Sequence, residues 1–104
     1  MAGDEVRLSG PTLKVLKLML ASPRDKRSGF EISRDLSIGS GTLYPLLARL
    51  EKAGWLKSEW ENVNPTEVKR PRRRFYFLTG IGYTKALAAL NDLQAPEGGW
   101  VWNT

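Results

Sequence analysis

At 104 residues with 41% apolar content, the chain suffices for one domain around a small core. Sixteen Lys and Arg against eleven Asp and Glu leave a formal charge of +5, and the sequence holds neither cysteine nor histidine. Those absences exclude disulfides, thiolate zinc sites and thiol nucleophiles and remove the commonest general base, so neither an enzyme nor a bound cofactor or metal is indicated.

Residues 1–10 read as a flexible N-terminal arm. Pro11 suits a helix start, where its missing N–H costs nothing. Leu13, Leu16 and Leu20 then fall at i, i+3 and i+7, with Val15, Leu18 and Met19 widening the stripe, which predicts a core-facing helix ending by Ala21-Ser22-Pro23. Arg24 to Arg27 reads as a charged connection. Ser28-Gly29-Phe30-Glu31 has the form of a capping box, which predicts a short helix through Leu36 that buries Phe30 and Ile32. Ser37 to Gly41 is the turn. Leu43, Leu46, Leu47 and Leu50 give the next helix a clean inner face, with Pro45 confined to its first turn and Gly54 as its stop.

The period then changes to two. Leu56, Ser58 and Trp60 alternate with charged residues, and Phe75 and Phe77 alternate with Arg74, Tyr76 and Leu78. Together they predict one antiparallel hairpin, with Trp55 and Trp60 packing core and hairpin. Its connection, Asn62 to Arg73, is long, and Asn64-Pro65 and Pro71 mark it as turn-rich rather than helical. Thr79 caps a last helix whose Tyr83, Ala86, Leu87, Leu90 and Leu93 form an apolar stripe. The small core is already covered, so this stripe is assigned to a partner helix in a second subunit. Trp100 and Trp102 in the tail are expected to dock on something.

The fold class is therefore mostly α with a small β-hairpin: a winged helix-turn-helix with an extra C-terminal dimerisation helix. Residues 11–79 make the winged-helix DNA-binding domain, 80–95 the dimerisation helix and 96–104 a tail. No stretch approaches the ~20 apolar residues of a membrane span. Met1 to Glu5 also lacks the basic opening of a signal peptide, so a cytoplasmic protein with no membrane partner is expected.

Such a unit sets the start of its second helix against base edges in the major groove of double-stranded DNA. The groove-facing set is Ser40, Thr42, Pro45 and Arg49, with Tyr44 and Lys52 at the margins. Arg49 alone can make a bidentate contact with a guanine edge, worth ~1–3 kcal/mol of discrimination, and the Tyr44 hydroxyl is better suited to a phosphate. Five of the sixteen basic residues lie between positions 69 and 74: Lys69, Arg70, Arg72, Arg73 and Arg74. Arginine forks match phosphate geometry. About three phosphates neutralised per subunit would give a log–log salt slope near −0.9 for each. Any single arginine has an alternative partner in Glu59, Glu61 or Glu67. The competing function is a winged helix used for protein–protein contact. That use calls for an apolar or acidic recognition face, where this one carries Arg49 and Lys52. RNA binding would call for exposed stacking aromatics.

The string from Ser28 to Ser33, the run Gly41-Thr42-Leu43-Tyr44-Pro45-Leu46-Leu47-Ala48-Arg49-Leu50-Glu51-Lys52-Ala53-Gly54-Trp55-Leu56, then Glu59-Trp60-Glu61 and Arg72 to Thr79 resemble the PadR-like transcriptional regulators. The resemblance covers about residues 12 to 93. It implies a winged-helix DNA-binding domain, a homodimer held largely by the last helix, and repression from a palindromic operator. It also implies a DNA-backbone contact from Tyr44 and a basic wing at Arg70 to Arg74. Members often carry His-Gly-Tyr where this chain has Ser28-Gly29-Phe30, and this wing is longer and richer in proline and arginine. One helix follows the wing, as in the short-tailed branch. Many members respond to small aromatic effectors; nothing in this sequence identifies one.

Overall fold

The computed structural model describes residues 6–94, and side chains through Asp92. The expectations for the first five residues and for the tail with Trp100 and Trp102 lie outside the described residues. The element order is α1 (Gly10–Ala21), β1 (Arg27–Ser28), α2 (Gly29–Leu36), α3 (Ser40–Lys52), β2 (Leu56–Trp60), α4 (Pro65–Val68), β3 (Arg74–Leu78) and α5 (Gly80–Gln94). This is the mostly helical winged-helix architecture that the periodicities predict, with a three-stranded antiparallel sheet in the order β1-β3-β2.

α1 starts on Ser9, whose hydroxyl oxygen accepts from the Thr12 amide. Its buried line is Thr12, Val15, Leu16 and Met19, rotated slightly from the expected Leu13–Leu16–Leu20 stripe; Leu13 and Leu20 are half-buried. α2 is fixed by the capping box. The Glu31 amide donates to Ser28 Oγ and the Ser28 amide donates to Glu31 Oε1, each at 3.0 Å. Both of these N–H groups would otherwise be unpaired at the helix start. α3 buries Leu43, Leu46, Leu47 and Leu50 and ends at Gly54, whose φ of 86° is the left-handed conformation that glycine adopts without a steric penalty. The core joins these leucines to Val15, Leu16, Met19, Ile32, Trp55, Leu56, Tyr76, Leu78 and Ala86.

Four expectations are corrected. Phe30 is not buried but 53% exposed, because the α2 side that reaches the core is the one carrying Ile32. Trp60 packs on the hairpin, beneath Arg74 of the facing strand, but not in the core, being 60% exposed at the far end of β2. Arg27 does not belong to a plain connection: it pairs with Tyr76, and with Ser28 opposite Phe75 it adds a third strand. The long connection is also not free of helix. Asn64 Oδ1 accepts from the Thr66 amide and Pro65 opens the one-turn helix α4, which closes on Lys69 at φ 60°.

The junction of α5 with the hairpin is tight. The Thr79 amide donates to the Trp55 carbonyl, the Thr79 hydroxyl donates to the Gly54 carbonyl at 2.6 Å, and the Gly82 amide donates to Thr79 Oγ1 at 2.8 Å. Gly82 lies so near the Trp55 backbone that a Cβ there would stand 1.9 Å from the Trp55 carbonyl oxygen. Glycine is thus required at this position for contact rather than for conformation. No helix among the described residues is long and apolar enough to cross a membrane.

Candidate nucleic-acid interface

With its leucine side sunk in the core, α3 turns Ser40, Thr42, Tyr44, Pro45, Arg49 and Lys52 to solvent. All six expected recognition-helix residues are therefore accessible on one element. Pro45 lies in the second turn yet leaves the helix continuous through Lys52. The helix opens on Gly39, which supplies no side-chain cap; the Thr42 and Leu43 amides turn to the Gly39 carbonyl, which leaves the Ser40 and Gly41 amides for water or an incoming acceptor.

Tyr44 is set by a contact that local sequence cannot reveal. Its ring lies flush against Gly29 at the start of α2, where a Cβ would stand 2.6 Å from both Tyr44 Cε1 and Oη. The absence of a side chain at Gly29 lets the Tyr44 ring settle between the two helices. From there it forms one wall of an open groove of about 530 Å3, completed by Phe30, Trp60, Tyr76 and the stretch from Arg70 to Arg74. The wing thus lies beside the recognition helix, with aromatic and cationic groups between them. Burial pushes the Tyr76 hydroxyl at the floor above its ordinary titration range.

The five basic wing residues are not equivalent. Arg70 extends both Nη1 and Nη2 to Glu61, at 2.8 and 2.9 Å from Oε1 and Oε2. The same carboxylate accepts from the Arg73 amide at 3.1 Å, and the Glu61 amide donates to the Arg73 carbonyl at 2.8 Å. The hydrogen bond from Arg70 is the main reason the Glu61 carboxyl is lowered from 4.5 to about 2. Arg74 lies over the Trp60 ring at 4.9 Å. It donates from Nε to Ser58 Oγ at 2.9 Å and approaches Glu51 Oε2 at 3.8 Å. Arg73 covers the exposed Phe30 ring at 5.0 Å, with Arg34 at 5.9 Å from the same ring. Arg72 donates from Nε to the Val63 carbonyl at 2.9 Å while the residue itself remains exposed, as does Lys69.

Among the described residues, two of the five, Arg70 and Arg74, are therefore engaged with carboxylates, while Lys69, Arg72 and Arg73 meet no carboxylate. Of the acidic partners read from the sequence, Glu61 takes Arg70, whereas Glu59 pairs with Lys26. Glu51 and Phe30 were missed as wing partners. They lie on α3 and α2, remote in sequence from the stretch they support.

On α5, Tyr83 and Leu87 are each 41% exposed and Leu90 is half-buried. Ala86 is fully buried in the subunit's own core and does not belong to the exposed stripe. The Leu93 side chain lies outside the described residues.

The model of the Transcriptional regulator PadR-like family matches residues 18–88. Comparison with curated proteins finds no match. Among solved structures, a PadR family transcriptional regulator from Eggerthella lenta DSM 2243 is 27% identical, with a TM-score of 0.63 over 80% of this chain and 74% of that one. A transcriptional regulator homologue from Pyrococcus horikoshii OT3 shares the fold at 24% identity, with a TM-score of 0.69 over 85% of this chain and 80% of that one. Reduced AbfR bound to DNA is 25% identical, with a TM-score of 0.64; the match spans 81% of this chain and 57% of AbfR, a protein of Staphylococcus epidermidis.

Proposed function

Because the chain belongs to the PadR-like family of transcriptional regulators, we propose that it works as a homodimeric repressor reading a palindromic operator in double-stranded DNA. The observation that carries this reading is the division of α3 into a leucine face held in the core and a bare face with Thr42, Pro45 and Arg49, flanked by a cationic wing. A major groove about 12 Å wide admits one such helix. Arg49 then reaches a guanine edge, and Ser40 and Thr42 make weaker base or phosphate contacts. Tyr44 and the uncapped first turn of α3 face the sugar–phosphate backbone. The outward wing cations neutralise further phosphates beside it. The structure of AbfR with DNA supports the same use of a related fold.

Dimerisation through α5 rests on Tyr83 and Leu87, large apolar side chains left in solvent on a helix that already closes its own core with Ala86. Half-buried Leu90 continues that line, and Leu93 is assigned to it from the sequence alone. Two-fold symmetry sets the recognition helices on half-sites about 34 Å apart. Selection of bound sequences from a random duplex pool tests all of this at once. The expected result is an inverted-repeat consensus with that spacing. Recovery of unselected sequence, or of a single half-site, would refute it.

A further inference from the structure

The wing has a framework distinct from its contact surface, and Glu61 is the centre of that framework. One carboxylate receives both arms of the Arg70 fork and the Arg73 amide, while the Glu61 amide ties back to the Arg73 carbonyl. These four bonds close the base of the connection between β2 and β3. Exposed ion pairs usually contribute little, but a bidentate fork with further hydrogen bonds on the same carboxylate is the exception. The Arg70 fork holds the Glu61 carboxyl well below the usual carboxylate range, at about 2, so it stays ionised at neutral pH. Arg73 leaves this closure directed onto Phe30, and Arg72 leaves it directed outward with its Nε on the Val63 carbonyl.

We propose that Glu61 is a positioning residue for DNA binding: by engaging Arg70 and the Arg73 backbone it withholds Arg70 from phosphate and orients Arg72 and Arg73 toward it. A carboxylate beside a polyanion would by charge alone weaken binding. Here its presence strengthens binding, because the cations it orders outnumber the one it neutralises. The inference rests on the DNA-binding reading above.

The two effects have opposite signs, which makes them separable. The full chain is titrated with a long mixed-sequence fluorescent duplex, and affinity is followed by anisotropy across a salt series. Glu61→Gln adds one positive charge, yet it is expected to weaken binding about tenfold and to lower the salt slope by roughly one to two phosphates' worth, about 0.9 each. Arg70→Lys keeps the charge and loses the fork, and it is expected to weaken binding in the same direction. The double variant is expected to bind no worse than Glu61→Gln alone, since both changes remove one interaction. Tighter binding and a steeper slope for Glu61→Gln would overturn the proposal, as would parental affinity for Arg70→Lys. Thermal melts identify a variant that fails to fold; Arg70→Lys, at a half-exposed site, then decides the matter. Failure of the parent protein to bind duplex with salt dependence would refute the DNA-binding reading itself.

Discussion

Gly29→Ala tests how the recognition surface is held. The new methyl would lie 2.6 Å from Tyr44 Cε1 and Oη and 2.8 Å from Cζ. Ordinary contact begins near 3.4 Å, so the ring must withdraw by about 0.8 Å. Tyr44 is 43% exposed and the clashing atoms are the far end of its side chain, so the ring swings outward rather than forcing the backbone apart. Folding stability should change by less than about 1 kcal/mol, a shift of no more than about 8 °C in Tm for a domain of this size. DNA binding should suffer much more. A hydrogen bond to a charged group contributes about 1.5–3 kcal/mol. Its loss corresponds to roughly ten- to a hundredfold in Kd. Tyr44→Phe removes the same hydroxyl without moving the ring, and combining the two should cost no more than the larger single effect. Anisotropy titration of all three variants, paired with thermal melts, gives the comparison. Parental affinity for Gly29→Ala beside a weak Tyr44→Phe would refute the idea that Gly29 positions the hydroxyl.

Gly82→Ala should behave in the opposite way, because the obstacle is the Trp55 carbonyl and not a mobile side chain. Overpacking of this kind costs about 1–3 kcal/mol, and a rigid backbone partner places it at the upper end. A calorimetric Tm drop of roughly 12 °C or more is expected, and a drop below about 4 °C would show that α5 can slide on the hairpin. Acid should loosen the wing before the core. The Glu61 carboxyl is depressed when folded, so its tether is complete above 4.5 and is lost as pH falls toward about 2. The protection of the Arg73 amide, taken against its intrinsic exchange rate at each pH, should fall across that window, and Glu61→Gln should abolish the transition. Leu87→Asp should convert a dimer to a monomer in sedimentation without lowering helicity; a parent that is already monomeric at micromolar concentration would count against the α5 interface.

Helical periodicity made the α3 face legible, since four leucines at i, i+3, i+4 and i+7 admit one orientation and the structure buries all four. The capping box at Ser28 and Glu31 was equally plain, because both halves of the motif lie within four residues. Periodicity failed for Phe30. An eight-residue helix gives too few turns to say which of two neighbouring apolar residues faces inward. The two-residue β1 is too short for alternation to appear, and it exists only because β3 presents a free edge beside it. α4 did leave a signal. Asn64 followed by Pro65 is an N-cap with proline in the first turn, and a reading that treats every Asn-Pro as a simple turn passes over it.

The wing shows a different kind of limit. Five cations within six positions repel one another, so a fold that brings them together must distribute them among separate partners. For the four arginines those partners are Glu61 just past the end of β2, the Val63 carbonyl, Phe30 on α2, and Trp60 with Ser58 and Glu51. Apart from the Pro71 carbonyl, which Arg70 Nη1 also reaches at 3.2 Å, the partners lie outside the basic stretch, so charge density along the chain overstates the charge offered to a ligand. Five free cations would imply a wing contribution to the salt slope of about −4.5 per subunit, whereas Lys69, Arg72 and Arg73 alone imply about −2.7. The same dispersal explains why the wing can stand at all. Arg70 and Arg74, each held by a carboxylate, fix the two ends of the ribbon, and Arg72 and Arg73 between them gain a defined direction, one on the Val63 carbonyl and the other on the Phe30 ring.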